Sequence, residues 1–258
     1  ILVDGSPFAL IVPATLNQFY HTPEDYYERW LIGSLIRFVR VLAVFFSLTT
    51  TALYVALISF HPEMIPTSFA IAIAGGRAGV PVPSIVEALL MEVTMEVLRE
   101  ASVRLPRPIG PTIGIVGAIV IGEAATRAGL VSPLMVIVVA VTSVGSFAIP
   151  SYSAAIALRI LKFPMIFAAG TFGLYGIMIG LIAITIHLAT LESFGVPYLS
   201  PFAPLKLGDL KDAIIRFPTM LMRRRPEALH PYDTWRGRAG SRSRAAGGNR
   251  EGHHGRVD

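Results

Sequence analysis

The sequence contains no cysteine, which excludes disulfides, thiolate metal sites, iron-sulfur clusters and cysteine nucleophiles. It is also poor in charge. Only 15% of its 258 residues are Asp, Glu, Lys or Arg and 53% are hydrophobic, whereas an ordinary soluble domain carries about a quarter charged residues. A chain of this length can bury a core in water, yet several stretches approach the ~20 apolar residues that cross a ~30 Å hydrocarbon layer. Residues 1–8 offer no basic region ahead of an apolar run, so no signal peptide is read, and a first residue of Ile1 leads us to expect a chain that begins mid-protein. No Ser, His and Asp set, no zinc-ligand spacing and no nucleotide loop is found, so no enzyme, metal or cofactor is expected. Gly75-Gly76-Arg77-Ala78-Gly79 lacks the Gly-Lys-Ser/Thr ending of a phosphate loop and reads as a turn. His253 and His254 are too isolated to argue for a metal. An internal repeat, the mark of many secondary transporters, is not evident.

The pattern that is present is all-α: a multi-span transmembrane helical bundle with interfacial amphipathic helices and a disordered basic C-terminal tail. Composition divides it into a pre-membrane re-entrant or interfacial segment (1–37), a transmembrane helical domain (38–190), a membrane-proximal cytoplasmic segment (191–232) and the tail (233–258). Residues 8–19 are apolar but broken by Pro13 and too short to span. Thr22 can cap a helix opening at Pro23-Glu24-Asp25, where the acids suit the positive end of the helix dipole. Tyr26, Tyr27 and Trp30 follow as interfacial aromatics. Spans are predicted over 41–60, 111–130, 131–149 and 165–189. Arg37 and Arg40, ahead of the first, are read as snorkelling to headgroups, which puts that end in the cytoplasm. Arg159 and Lys162, on a short amphipathic helix over 150–164, then fall outside, against the same bias, and a fifth crossing at 84–104 would separate the chain ends.

Three groups of residues are candidates for function. In the helix predicted over 84–104, Ser84 caps, Glu87 is its capping-box partner, and Glu92, Glu96 and Glu100 share one face with Arg99 beside them. That stripe is either the wet face of an interfacial helix or an ion pathway whose carboxylates repel one another when empty. Glu123 and Arg127, at i, i+4 in a predicted span, form an intramembrane ion pair, functional or structural. Gly114, Ala118 and Gly122 recur every four residues, and Gly173, Gly176 and Gly180 lie near one face, two small-residue ridges for helix packing. His187 reads as an interfacial or packed histidine, with a proton relay as the alternative. Leu210, Ile214 and Phe217 give residues 209–217 an apolar side and predict a short amphipathic helix. The net charge of +5 gathers at the C-terminal end, where Arg223, Arg224 and Arg225 form a lipid-facing basic cluster. Next to membrane spans the expected partner is anionic lipid rather than nucleic acid.

Several blocks together resemble one family. They are Pro7-Phe8-Ala9-Leu10-Ile11-Val12-Pro13-Ala14 with residues 22–29, Val86-Glu87-Ala88-Leu89-Leu90-Met91-Glu92, Leu105-Pro106-Arg107-Pro108-Ile109-Gly110 running on to Gly129-Leu130-Val131-Ser132-Pro133, and Phe147-Ala148-Ile149-Pro150-Ser151-Tyr152. Asp209-Leu210-Lys211-Asp212 and Arg224-Arg225-Pro226 also fit. Over residues 1–232, in order and spacing, the chain resembles the membrane domain of the GerA family of spore germination proteins. The resemblance implies an A-type subunit of a nutrient germinant receptor, or its stage V sporulation relative, with a soluble cytoplasmic domain ahead of this half. It implies a transporter-like B subunit and a lipoprotein C subunit as partners, and a homo-oligomeric ring in the spore inner membrane, a cell membrane crossed several times. The implied activity is a nutrient-gated channel that releases monovalent cations, with a non-conducting scaffold subunit or a secondary transporter as alternatives. A ring favours the ion-pathway reading of Glu92, Glu96 and Glu100. The family more often carries Gln at position 123, so Glu123 here is expected to pair locally with Arg127.

Overall fold

The computed structural model describes residues 1–5, 7, 9–104, 110–206, 208–213, 215–218, 225 and 226, without the side chains of 110–113 and 115. The described residues are mostly helical: α1 (Trp30–Phe60), α2 (Thr67–Arg77), α3 (Ser84–Arg104), α4 (Gly110–Arg127), α5 (Pro133–Ser146), α6 (Tyr152–Phe172) and α7 (Leu174–Thr190). A minimal hairpin pairs β1 (Glu192–Ser193) with β2 (Val196–Pro197). The contacts separate into two compact units, one of Ile1–Gln18, Pro23–Arg37 and the described residues from Leu191 on, the other of Phe19–Thr22 and Phe38–Thr190.

The second unit is built on helical periodicity. α1 buries Leu48, Thr51, Ala52 and Val55, α3 buries Glu87, Ala88, Met91 and Glu92, α5 buries Met135, Val139, Thr142 and Ser146, and α6 buries Lys162, Met165, Ile166 and Ala169. Each set steps by three or four residues, the repeat that puts side chains on one helix face. The faces meet in a core of Ala52, Val55, Met91, Met135, Met165 and Ile166. Outward positions are apolar as well, among them Phe45, Ile119, Val141, Ile160 and Ile186, the inverse of a protein that faces water. Two helices, α1 and α6, are long and apolar enough to cross a membrane, while α5 and α7 are apolar but have 14 and 17 residues. The 14 residues of α5 rise only about 21 Å at 1.5 Å each.

Local chemistry sets the helix ends. Ser132 accepts from the Met135 amide at 3.3 Å and Pro133 follows, a cap and a first-turn proline that open α5. At the end of α4, Gly129 takes φ 68° and the Leu130 amide reaches back to the Ala125 carbonyl at 2.9 Å, which closes the helix in a Schellman motif.

Several expectations are corrected. The stretch 165–189 is not one span: the chain turns at Gly173, with φ 62° and ψ −141°, a conformation open essentially to glycine alone. A Cβ on Gly180 would come within 2.5 Å of Met165 Sδ and one on Gly176 would strike the Ala168 carbonyl, so α7 folds back antiparallel on α6. Pro164 does not end a short amphipathic helix, because α6 runs through it, and prolines are tolerated in apolar helices whose neighbours compensate for the lost amide. Gly75 and Gly76 lie in α2 rather than in a turn. Among the described residues of 209–217 the structure has a 3-10 turn at Asp209–Asp212 rather than the expected amphipathic helix, and Arg216 donates inward to backbone carbonyls; Ile214 lies outside the described residues. Arg37 and Arg40 do not snorkel. Arg37 is 2% exposed and ion-paired, and Arg40 is buried with its guanidinium on the Tyr20 carbonyl and 3.4 Å from Thr22 Oγ1. Arginines with internal partners of this kind carry no signal about which side of a membrane they face.

Two glycines separate conformational need from mere tolerance. Gly173→Ala forces a Cβ into a positive-φ corner 3.0 Å from Phe60 Cβ and is expected to destabilise the protein by about 1–3 kcal/mol. Gly75→Ala meets nothing within 4 Å and is expected to stabilise by about 0.5–1 kcal/mol through helix propensity. Thermal unfolding of the two variants in detergent checks both signs.

Candidate functional site

The polar chemistry of the helical unit follows α3. Glu87, Glu92, Glu96 and Glu100 are spaced along it so that each step rises about 6–8 Å, and each meets a basic side chain. Exposure climbs along the row, from 0% at Glu87 to 62% for the Glu100 side chain.

Glu87 is held by two partners that a third residue braces. One oxygen accepts from the backbone amide and the hydroxyl of Ser132, both at 2.6 Å, at a helix N-terminus whose dipole favours an anion. The other pairs with the Arg77 guanidinium at the end of α2. Tyr54 of α1 completes the set, its Oη 2.9 Å from Ser132 Oγ and accepting from Arg77 at 3.0 Å. The capping box expected between Ser84 and Glu87 is therefore not formed. A charge-assisted bond to Arg77 and a helix N-terminus outcompetes a local cap, and Ser84 Oγ meets Ser59 Oγ instead.

Glu92 gathers four helices around one carboxylate. Its Oε1 accepts from Thr51 Oγ1 at 2.8 Å and Thr142 Oγ1 at 3.3 Å, and Lys162 Nζ of α6 stands 3.6 Å from Oε2. Thr142 is steadied in turn by Ser47, whose hydroxyl donates to its carbonyl at 2.9 Å. Lys162 is 3% exposed, so the pair sits in the core, close enough for strong attraction yet beyond hydrogen-bond length. Glu96 pairs with Arg99 at 2.9 Å and with Arg159 of α6 at 3.5 Å, and Glu100 with Arg104 at 2.6 Å on the outer surface.

The structure thus brings Glu92 and Glu96 to the packed side of α3 and leaves Glu100 outside. The row is compensated within the chain, which offsets the mutual repulsion expected of bare carboxylates. Sequence reasoning noticed Glu87, Arg77, Arg159 and Lys162 in other settings and missed that they belong to this row. The i, i+3 spacing of Arg159 and Lys162 did show a shared face, but not that the face meets glutamates more than sixty residues away.

The other candidates are placed apart from this row. Glu123 and Arg127 pair at 2.6 Å on the exposed side of α4. Gly114 lies against Ser102 of α3, where a Cβ would come within 2.8 Å of Oγ, and Gly122 against Val136 of α5 at 3.2 Å, with Ala118 half-buried between them. That ridge is used inside the chain. Gly173, Gly176 and Gly180 serve the α6–α7 reversal. His187 is exposed near the end of α7. Arg225 is exposed, while Arg223, Arg224 and the tail 233–258 lie outside the described residues. Among the described residues no three of His, Cys, Asp and Glu gather as metal ligands would.

The first unit has its own ionic centre. Arg37 reaches Asp25 at 3.2 Å and Asp212 at 2.8 Å and lies over the Tyr26 ring at 5.1 Å. Arg216 donates to the carbonyls of Asp25, Glu28 and Tyr26 at 2.6, 2.6 and 3.0 Å. Gly33 admits this approach, since a Cβ there would stand 2.7 Å from the Asp25 carbonyl. Two segments far apart in sequence, 25–37 and 212–216, are clasped in this way.

Comparison with known proteins adds a frame. The model of the family described as Bacillus/Clostridium GerA spore germination protein matches residues 1–228. Among similar proteins, spore germination protein GerLA of Bacillus cereus is 50% identical over 91% of this chain and 48% of its own length. Spore germination protein KA of Bacillus subtilis is 51% identical over 90% of this chain and 43% of its own, and spore germination protein B1 of the same organism is 48% identical over 92% and 49%. The chain spans about half the length of these curated relatives. No solved structure matches it.

Two outcomes follow from the geometry. Glu92→Gln leaves the Lys162 ammonium buried without its counter-charge and is expected to destabilise by about 3–5 kcal/mol, whereas Glu100→Gln breaks a surface pair worth less than about 1 kcal/mol; adding Lys162→Met to Glu92→Gln should recover most of the loss in the thermal midpoint. At Tyr26, burial and then the Asp212 carboxylate raise the phenol above its ordinary 10.0. Its contribution to stability is therefore complete below pH 10 and is lost as pH rises through the folded value. Tyr26→Phe should flatten the alkaline fall in stability, read by denaturation at stepped pH.

Proposed function

The chain belongs to the GerA family of spore germination proteins, and from that premise we propose that it is the membrane part of an A-type germinant-receptor subunit, a non-enzymatic, oligomeric, nutrient-gated channel for monovalent cations. Its place is a membrane of the spore, crossed several times by helices that include α1 and α6. Its partners are further copies of itself, a transporter-like B subunit, a lipoprotein C subunit and anionic lipid at the Arg223, Arg224 and Arg225 cluster.

The observation that carries the reading is the row of carboxylates on α3, set among helices whose outward faces are apolar. Ionisable groups inside apolar helices are costly and mark ion pathways or structural pairs, and a ring of subunits repeats each carboxylate around one axis. Glu96, 41% exposed and shared between Arg99 and Arg159, is the member poised to trade a protein cation for a mobile one. The compensation of the whole row within one chain favours a second reading, a scaffold subunit that holds the receptor together and passes nothing.

Liposomes carrying the purified receptor and loaded with a cation-sensitive dye separate these readings. Nutrient-dependent cation flux without a driving substrate gradient is expected, together with a loss of preference for cations over anions in Glu96→Gln. Flux that requires a coupled gradient indicates a transporter, and no flux indicates a scaffold. Unchanged selectivity in an assembled Glu96→Gln protein removes α3 from the route.

A further inference from the structure

One helix of the second unit is attached very differently from the rest. Among the residues of α2 only Ile73 is buried, while Phe69 and Ile71 are 51% and 68% exposed. Neither the buried apolar cluster nor the side chains packed on it includes a residue of α2. A Cβ on Gly75 would meet nothing within 4 Å, and one on Gly76 would only touch Pro133 Cδ at 3.8 Å. Pro62 and Pro66 precede the helix, and Gly79, Pro81 and Pro83 follow it, so neither connector can continue it as a rigid rod.

Against this slight packing stands a single strong attachment. Arg77, the last residue of α2, gives its guanidinium to Glu87, to Tyr54 Oη at 3.0 Å and to the Val82 carbonyl at 3.4 Å. Glu87 is fully buried, and its other oxygen is committed to Ser132 at the start of α5. One carboxylate therefore belongs on one side to the packed bundle and on the other to a helix that packing alone barely holds.

We propose that Arg77 and Glu87 form a latch: the pair holds α2 against the bundle, and breaking it releases α2 on its proline- and glycine-bounded connectors while α1, α3, α5 and α6 stay assembled. The core survives release because its apolar contacts and the Glu87–Ser132 bonds do not involve α2. Anything that competes for the Glu87 carboxylate or for the Arg77 guanidinium shifts the population between held and freed α2. The latch goes beyond the channel reading and stands whether or not the chain conducts.

Spin-label distances test it, helped by the absence of native cysteine. Cysteine pairs at Ile71 with Ile160, and at Val97 with Ile160 as the control, all sit at exposed positions. They are labelled in the full chain, diluted into unlabelled protein and measured in lipid nanodiscs. In the parent both pairs should give one narrow distance. Arg77→Gln should abolish the narrow distance of the α2 pair and leave the control narrow, Glu87→Gln should do the same, and Arg77→Lys, which keeps the charge, should retain it. A narrow α2 pair in both Gln variants means that packing suffices and overturns the latch. Broadening of both pairs, or failure of both Gln variants to fold, means that the ion pair supports the whole bundle, and that overturns it too.

Discussion

A carboxylate buried among apolar helices must be matched by a cation or by hydrogen-bond donors, and in this chain that requirement falls on α3. Glu87 and Glu92 are nearly without exposure. Each draws a basic group from another helix, Arg77 from α2 and Lys162 from α6; Glu87 also accepts from the Ser132 hydroxyl that caps α5, and Glu92 from the hydroxyls of Thr51 on α1 and Thr142 on α5. Replacing such a network by apolar side chains of like volume is often neutral for stability, so burial alone does not account for it. What the row adds is register. A slip of α6 by one residue would turn Lys162 by about 100° away from Glu92, leaving two buried charges unmatched, whereas Met165 and Ile166 would still find apolar neighbours.

Where charges fix register, small residues fix distance. Gly114 and Gly122 let α4 approach α3 and α5, Gly145 comes within 2.9 Å of the Ala43 carbonyl measured from its would-be Cβ, and Gly180 receives the Met165 sulfur. Close approach of backbones brings more atoms into contact across each helix pair, and those many small dispersion attractions add up to a tightly packed bundle. The ionic centre of the first unit obeys the same two rules at smaller scale, with Arg37 and Arg216 matched to acids and carbonyls and Gly33 allowing the approach.

Much of this is legible in the sequence. The helix expected over 84–104 is α3 with the same bounds, and the glutamate stripe, the i, i+4 pair on α4 and the small-residue ridge of Gly114, Ala118 and Gly122 are visible as periodicities. What failed has a common cause. Local pattern rules assign Lys and Arg near apolar runs to headgroups, and they cannot see Asp25 and Asp212 around Arg37 or Glu92 opposite Lys162. In the same way Ser84 and Glu87 satisfy a capping-box spacing, but the winning partner of Glu87 is Ser132, 45 residues away. The reversal at Gly173 was hidden because Gly173, Gly176 and Gly180 suit a packing ridge in a straight helix as well as they suit a corner.

Paired burial also constrains how such a bundle can change shape. Removing one partner of a buried pair costs about 3–5 kcal/mol, so low-cost motions are those that keep pairs intact or give a freed charge a new partner. Glu96–Arg99 and Glu100–Arg104 lie within α3 and travel with it, whereas Glu87–Arg77 and Glu92–Lys162 bridge separate helices. Between the two bridges the surroundings differ. Lys162 lies in an α6 face that also buries Met165, Ile166 and Ala169, so parting it from Glu92 by moving the helix would expose a large apolar surface as well. Arg77 ends a helix that buries one side chain. Charge and packing resist motion together at the α3–α6 contact, and charge resists nearly alone at α2, so a signal acting through electrostatics has most purchase there.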